Sequence, residues 1–208
     1  MKQTLKYLAP LMAVVLAGCA AMPSDPDLDK LTADITKASF RDEGQAKVDR
    51  LVQDDANREC SAADVAGKPI DEKLAKGIEA ANLKTIKWPA DGKFLGDWKE
   101  GEKIAQSGVG KQFSDDPARP AGGNCYACHQ LSKEESAFGN IGPSLYHFGK
   151  LRGNTEAIQK YTFGKIYNAQ AYAACTNMPR FGHNNILTEE QIKHVTALLL
   201  DPNSPVNK

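Results

Sequence analysis

Cys125-Tyr126-Ala127-Cys128-His129 has the spacing of a c-type haem attachment site. Two thiols separated by two residues can each add to one vinyl group of the same porphyrin. The adjacent His129 is then held beside the iron as an axial ligand. A Cys-x-x-Cys pair also occurs in redox dithiols and in zinc sites, so the flanks matter. The dithiol reading wants a strand upstream, but Ala118-Arg119-Pro120-Ala121-Gly122-Gly123-Asn124 is turn-rich and has no β-branched run. Zinc wants a second pair of ligands, and the remaining cysteines are isolated singles. Cys125, Cys128 and His129 are therefore expected to hold one covalently attached haem c.

Attachment of this kind takes place outside the cytoplasm, and the amino terminus agrees. Lys2 and Lys6 precede a short apolar run, Leu8 to Leu16, interrupted by Pro10. That run is too short to span a bilayer, and it reads as a signal peptide over residues 1–18. Leu16-Ala17-Gly18-Cys19 resembles a bacterial lipobox, which implies acylation of Cys19 and a membrane attachment through its lipid. Cleavage after Ala21, with Cys19 discarded, is the alternative. Two or three acyl chains anchor stably, each buried methylene adding about 0.8 kcal/mol. Ala20 stands where retention at the inner membrane usually shows Asp, and by that resemblance the periplasmic face of the outer membrane is the expected location.

Loss of residues 1–18 removes two lysines and leaves 24 basic against 26 acidic side chains. That balance provides no basic stripe for phosphates, so no nucleic-acid partner is expected. With Cys19 assigned to lipid and two cysteines to haem, Cys60 and Cys175 remain. In an oxidising compartment two spare cysteines most often pair, and a disulfide is expected; free buried thiols are the bland reading. The link would join the N-terminal extension to the haem domain.

The body reads as all-α. Residues 19–90 divide into a Pro- and Asp-rich tether and a mostly helical extension, and residues 91–208 form the haem domain. One or two amphipathic helices are expected between Leu31 and Cys60, and a short one over Asp71–Ala81. Trp98, Gly101, Ile104 and Ala105 share a helix face, where Gly101 would admit a close crossing. Thr155–Tyr167 is expected to be helical. Thr188-Glu189-Glu190-Gln191 is a capping box opening the last helix, with Leu187 and Ile192 as its hydrophobic staple. Pro202 limits that helix to about Asp201.

An iron held by His129 leaves a distal position. Only Met22 and Met178 survive signal removal, and Met22 lies in the tether. Met178 lies between two expected helices, with Pro179 stiffening its backbone. An apolar gap-filling Met and a histidine ligand, chiefly His183, are the alternatives. His147 is a further histidine candidate, and His194 reads as a solvated helix residue. The Pro143 carbonyl is a candidate acceptor for the remote nitrogen of His129, against a plain structural turn. Arg180 would pair with a haem propionate or face solvent.

These residues together resemble the class I cytochrome c fold, and more closely SoxX, the monohaem subunit family of the bacterial SoxAX sulfur-oxidation complex. The likeness rests on the haem motif, Gly139-Asn140-Ile141-Gly142-Pro143-Ser144-Leu145 and Ile166-Tyr167-Asn168. It continues through Thr176-Asn177-Met178-Pro179-Arg180-Phe181-Gly182 and Leu187-Thr188-Glu189-Glu190-Gln191-Ile192, and covers roughly residues 94–205. It implies haem attachment through Cys125 and Cys128 and iron coordination by His129 and Met178. It also implies a SoxA haem subunit as partner, the SoxYZ carrier reached through the complex, and a small soluble cytochrome c as electron acceptor. SoxAX acts as an L-cysteine S-thiosulfotransferase that joins thiosulfate oxidatively to a SoxY cysteine. Its chemistry lies in SoxA, so this chain is expected to carry electrons and no catalytic centre of its own. A free-standing lipoprotein cytochrome c is the alternative.

Overall fold

The computed structural model describes residues 25–208; the expected signal peptide, Cys19 and Met22 lie outside them. Apart from one isolated bridge between Glu43 and Ala46, no β-pairing occurs among the described residues, and the fold is all-α. The helices are α1 (Asp25–Ser39), α2 (Asp55–Val65), α3 (Glu72–Leu83), α4 (Trp98–Gln106), α5 (Phe148–Arg152), α6 (Glu156–Tyr167) and α7 (Glu189–Leu200). No described helix is long and apolar enough to cross a membrane.

The chain divides into two compact units between Asp42 and Glu43. The first contains α1, whose Leu28, Leu31 and Ile35 are exposed along one face. The second holds everything from Glu43 onward. This differs from the division at residue 90 expected from composition. Helices α2 and α3 belong with the haem segment because long-range polar and covalent links bind them to it, as described below.

Five of the six later helices begin at a side-chain cap; α5 follows His147 in a left-handed conformation and has none. Asp54, Asp71, Asp97, Thr155 and Thr188 accept from backbone amides in the first turns of α2, α3, α4, α6 and α7. Such caps satisfy donors that a helix start leaves orphaned, at about 1 kcal/mol each. The capping box of α7 is complete: Gln191 N donates to Thr188 Oγ1 (3.2 Å) and Thr188 N to Gln191 Oε1 (3.0 Å). The flanking Leu187 and Ile192 are both buried. The box also reaches the haem-motif approach, since Gln191 Nε2 donates to the Ala121 carbonyl at 2.8 Å.

The core lies between α4, α6 and α7, with Phe163, Leu131, Ile192, Leu198, Leu200 and Val206 fully enclosed. Each such side chain contributes about 1.5–3 kcal/mol relative to exposure. Phe163 anchors an aromatic cluster, with its ring 5.6 Å from Phe94 and 6.1 Å from Tyr167 between centroids.

Helices α4 and α7 cross closely at Gly101. A Cβ there would collide with the His194 carbonyl and sit 3.0 Å from Leu198 Cβ. Gly101→Ala gains about 1 kcal/mol of helix propensity but overpacks a backbone contact that cannot rotate away. A net destabilisation on the order of 1–2 kcal/mol is expected, read as a lower denaturant midpoint. An unchanged or raised midpoint would show that the two helices can separate freely. His194 is not the solvated residue its register suggests: its Nδ1 accepts from Asp97 N at 2.8 Å, so α7 helps to hold the start of α4.

Candidate haem site

The loop before the motif is laid along the end of α4 by backbone pairing. Gly122 N donates to Val109 O (2.7 Å), Gly123 N to Ile104 O (2.8 Å) and Asn124 N to Ser107 O (2.9 Å). A Cβ at Gly122 would strike the Ser107 carbonyl, which explains a glycine at that approach. Asn124 then adopts a left-handed conformation, φ 47°, that asparagine tolerates better than most residues. The chain turns into a 3-10 helix, Cys125–Ala127. Cys128 N and His129 N both donate to Cys125 O, at 3.1 and 2.9 Å, so the two thiols and the imidazole share one tight turn.

The Gly139–Leu145 loop closes across this turn. Gly139 N donates to Tyr126 O (2.8 Å), Gly142 N to Cys128 O (2.9 Å) and Leu145 N to Gln130 O (2.8 Å). A Cβ on Gly139 would meet the Ala127 carbonyl, and one on Gly142 would enter the His129 ring. The glycines are required by close approach.

The geometry around His129 orients its ring. Nδ1 lies 2.7 Å from the Pro143 carbonyl oxygen. A carbonyl can only accept, so Nδ1 carries the hydrogen, and in the neutral ring Nε2 presents the lone pair. That tautomer is the one a metal bound at Nε2 requires. Burial pushes the Cys125 thiol up to about 12; an unreacted thiol in this setting is a poor nucleophile, but a thioether there carries no such penalty. Tyr126 is buried in the core, and that burial raises its hydroxyl's pKa.

The turn follows a loop with no strand, and no group of three or more His, Cys, Asp or Glu side chains among the described residues is placed to hold a metal ion. The fit to haem rests on the oriented imidazole and on the shared turn of the two thiols.

Met178 is half-buried against the core, on the loop between the 3-10 helix Ala169–Ala171 and α7, with its amide donating to Thr176 Oγ1 at 3.2 Å. The loop packs on the end of α6: Gly182 N and His183 N donate to Tyr167 O at 3.0 and 3.1 Å. A Cβ on Gly182 would run into the Tyr167 ring. The Tyr167-Asn168 and Met178–Gly182 segments, separate in sequence, thus form one packed unit. His147 is occupied elsewhere, its Nε2 lying 2.6 Å from the Lys208 carbonyl, and His183 Nδ1 lies 3.2 Å from Thr85 Oγ1.

Arg180 is not directed at solvent. Its Nη2 donates to Asp54 Oδ2 at 2.5 Å, with its side chain only 14% exposed. Burial works to raise the Asp54 carboxyl's pKa, but the Asn57 amide and the Arg180 charge outweigh it and leave the group below its ordinary range. Burial and the same Arg180 charge lower His183 and favour its neutral form.

Cys60 and Cys175 form a disulfide. Beside it, the fully buried Asn168 donates through Nδ2 to Asn82 Oδ1 and Thr85 Oγ1, both at 2.9 Å. Gln170 Nε2 donates to Asn57 Oδ1 at 3.0 Å. Sequence reading missed these polar partners. The Asn168 that follows Tyr167 was the available signal, but it named no partner.

A protein from Aquifex aeolicus (strain VF5) named "Uncharacterized lipoprotein" is 42% identical over 127 residues, which is 60% of this chain and 59% of that protein. The chain thus matches about three fifths of that relative's length. Residues 109–201, which hold the attachment turn, the Pro143 loop and Met178, match the family model Cytochrome c. In that segment the chain is similar to the cytochrome c family, a similarity that implies a haem c cofactor and electron transfer.

Proposed function

We propose that the chain is an extracytoplasmic, lipid-anchored electron-transfer protein, and specifically the electron-accepting monohaem subunit of a SoxAX-type thiosulfotransferase. The observation that carries the finer reading is the packing of Tyr167 against Gly182 and His183 at the end of the methionine loop. This pair of segments is the more family-specific part of the SoxX resemblance. The lipoprotein name of the Aquifex relative supports the anchor at Cys19.

Bound at this site, a haem c supplies a one-electron Fe(III)/Fe(II) couple. Cys125 and Cys128 would fix it covalently, and His129, oriented by the Pro143 carbonyl, would bind the iron. Met178 would supply a thioether ligand, which favours the ferrous state over a second imidazole and so suits an electron acceptor. Joining thiosulfate to a carrier cysteine forms an S–S bond and releases one proton and two electrons. A chain holding one haem would take these one at a time and pass them to a soluble cytochrome c. The chain itself forms and breaks no substrate bond.

A second reading, a free-standing membrane-tethered electron shuttle, is equally compatible with the lipoprotein name of the Aquifex relative. Native mass spectrometry of the detergent-extracted protein from its own cells separates the two. The expected result is a lipid-bearing chain with one haem held by a larger haem subunit. A lone haem lipoprotein recovered in good yield would replace the complex with the shuttle, and a mature chain beginning after Ala21 would end the anchor.

A further inference from the structure

We propose that the Asp54–Thr85 segment is a clamp that positions Met178, with Asp54, the Cys60–Cys175 disulfide and Thr85 as positioning residues acting through the methionine loop. The inference rests on the reading of Met178 as distal ligand.

Three independent links reach the loop at points surrounding Met178. Cys175, three residues before it, is bonded to Cys60 in the middle of α2. Arg180, two residues after it, is held by Asp54 at the start of α2. His183, five residues after it, meets Thr85 just beyond α3. Two more contacts brace the base of the loop: Ala174 N donates to Glu79 Oε1 (3.2 Å), and Asn168 is bonded to Asn82 and Thr85. On the clamp's side of these links Asp54, Cys60, Glu79, Asn82 and Thr85 all lie before residue 109, outside the stretch matched to the cytochrome c family.

The loop needs such support. Thr176–Gly182 contains no helix, and Pro179 has no amide to donate. A thioether held on a loop competes for iron through its effective concentration, which rises as the loop's freedom falls. Local opening of the loop vacates the distal position, and the clamp raises the free energy of that opening. Asp54 is central because Oδ1 accepts from Asn57 N while Oδ2 holds Arg180.

The test uses the haem-loaded, full-length ferric protein and titration with imidazole, which can occupy the distal position only when the native ligand leaves. Asp54→Asn keeps an N-cap, since Asn caps as well as Asp, but removes the charge facing Arg180. The second clamp variant is Cys60→Ser with Cys175→Ser. Val206→Ala, a fully buried core change, serves as a stability control. Both clamp variants are expected to bind imidazole about tenfold more tightly than the parent, equivalent to about 1.4 kcal/mol of lost restraint, and to show a lower reduction potential. Val206→Ala is expected to lower Tm without moving either readout. Clamp variants whose imidazole affinity stays at the parent value, or moves only as the control's does, would overturn the proposal. Met178→Ala separates the premise from the inference. If it binds imidazole tightly while the clamp variants do not, the clamp alone fails. If it binds no more tightly than the parent, Met178 is not the ligand and the premise fails.

Discussion

Met178→Ala is expected to abolish the weak red-edge absorption band of methionine-ligated ferric haem and to lower the reduction potential by on the order of 0.1 V, within the roughly 0.8 V span that axial ligands set. The thioether is a soft, neutral donor that stabilises the ferrous state, and water or an adventitious nitrogen ligand in its place does not. The fold should survive, because Met178 is only half-buried and its loop is tied at Cys175, Arg180 and His183. Far-ultraviolet circular dichroism of the variant should match the parent, and covalent haem should remain on Cys125 and Cys128. A variant that kept both the band and the potential would remove Met178 from the iron.

Removal of the disulfide by Cys60→Ser with Cys175→Ser should cost about 2–5 kcal/mol of stability. The bridge spans a sequence separation of 115, and closing a loop of that length restricts the unfolded chain strongly. Some of that cost is recovered if the Asp54–Arg180 pair and the Asn82–Asn168–Thr85 contacts keep α2 and α3 in place without it. Urea unfolding of parent and variant, both haem-loaded and followed by circular dichroism, checks the magnitude. An unchanged midpoint with an unchanged m-value would mean that the other links already restrain the same freedom. A changed m-value would place part of the effect in the compactness of the unfolded state.

Local chemistry was legible where it depends on neighbours in the chain. The capping box at Thr188–Gln191 with its staple, the end of α7 before Pro202, and the start of α6 at Thr155 follow from short-range hydrogen bonds and propensities. The helix carrying Gly101 was readable from apolar spacing, and the need for a small residue there from the cost of glycine in a helix. Cys60 and Cys175 were paired by counting, because covalent chemistry leaves few places for a spare thiol in an oxidising compartment.

The boundary drawn at residue 90 was not readable, and neither were the partners of Arg180 and His194. Helices α2 and α3 bury little of their surface: among their residues only Ala56 and Asn82 are buried. They are joined to the haem segment by Asp54–Arg180, Asn57–Gln170 and Asn82–Asn168, single polar contacts across 86 to 126 residues. Such contacts follow no period, so a boundary placed at residue 90 cut across a unit that runs on from Glu43.

By itself, the sequence determined that this protein presents two thiols and an imidazole within five residues, on an all-helical chain with defined helix ends. Those properties arise from covalent spacing and from hydrogen bonds that close within four residues. Only the tertiary structure decided which nitrogen of His129 is free, by setting the Pro143 carbonyl against the other. It also decided that the methionine loop is held from Asp54–Thr85, because contacts between distant polar groups exist only after the chain has brought them together.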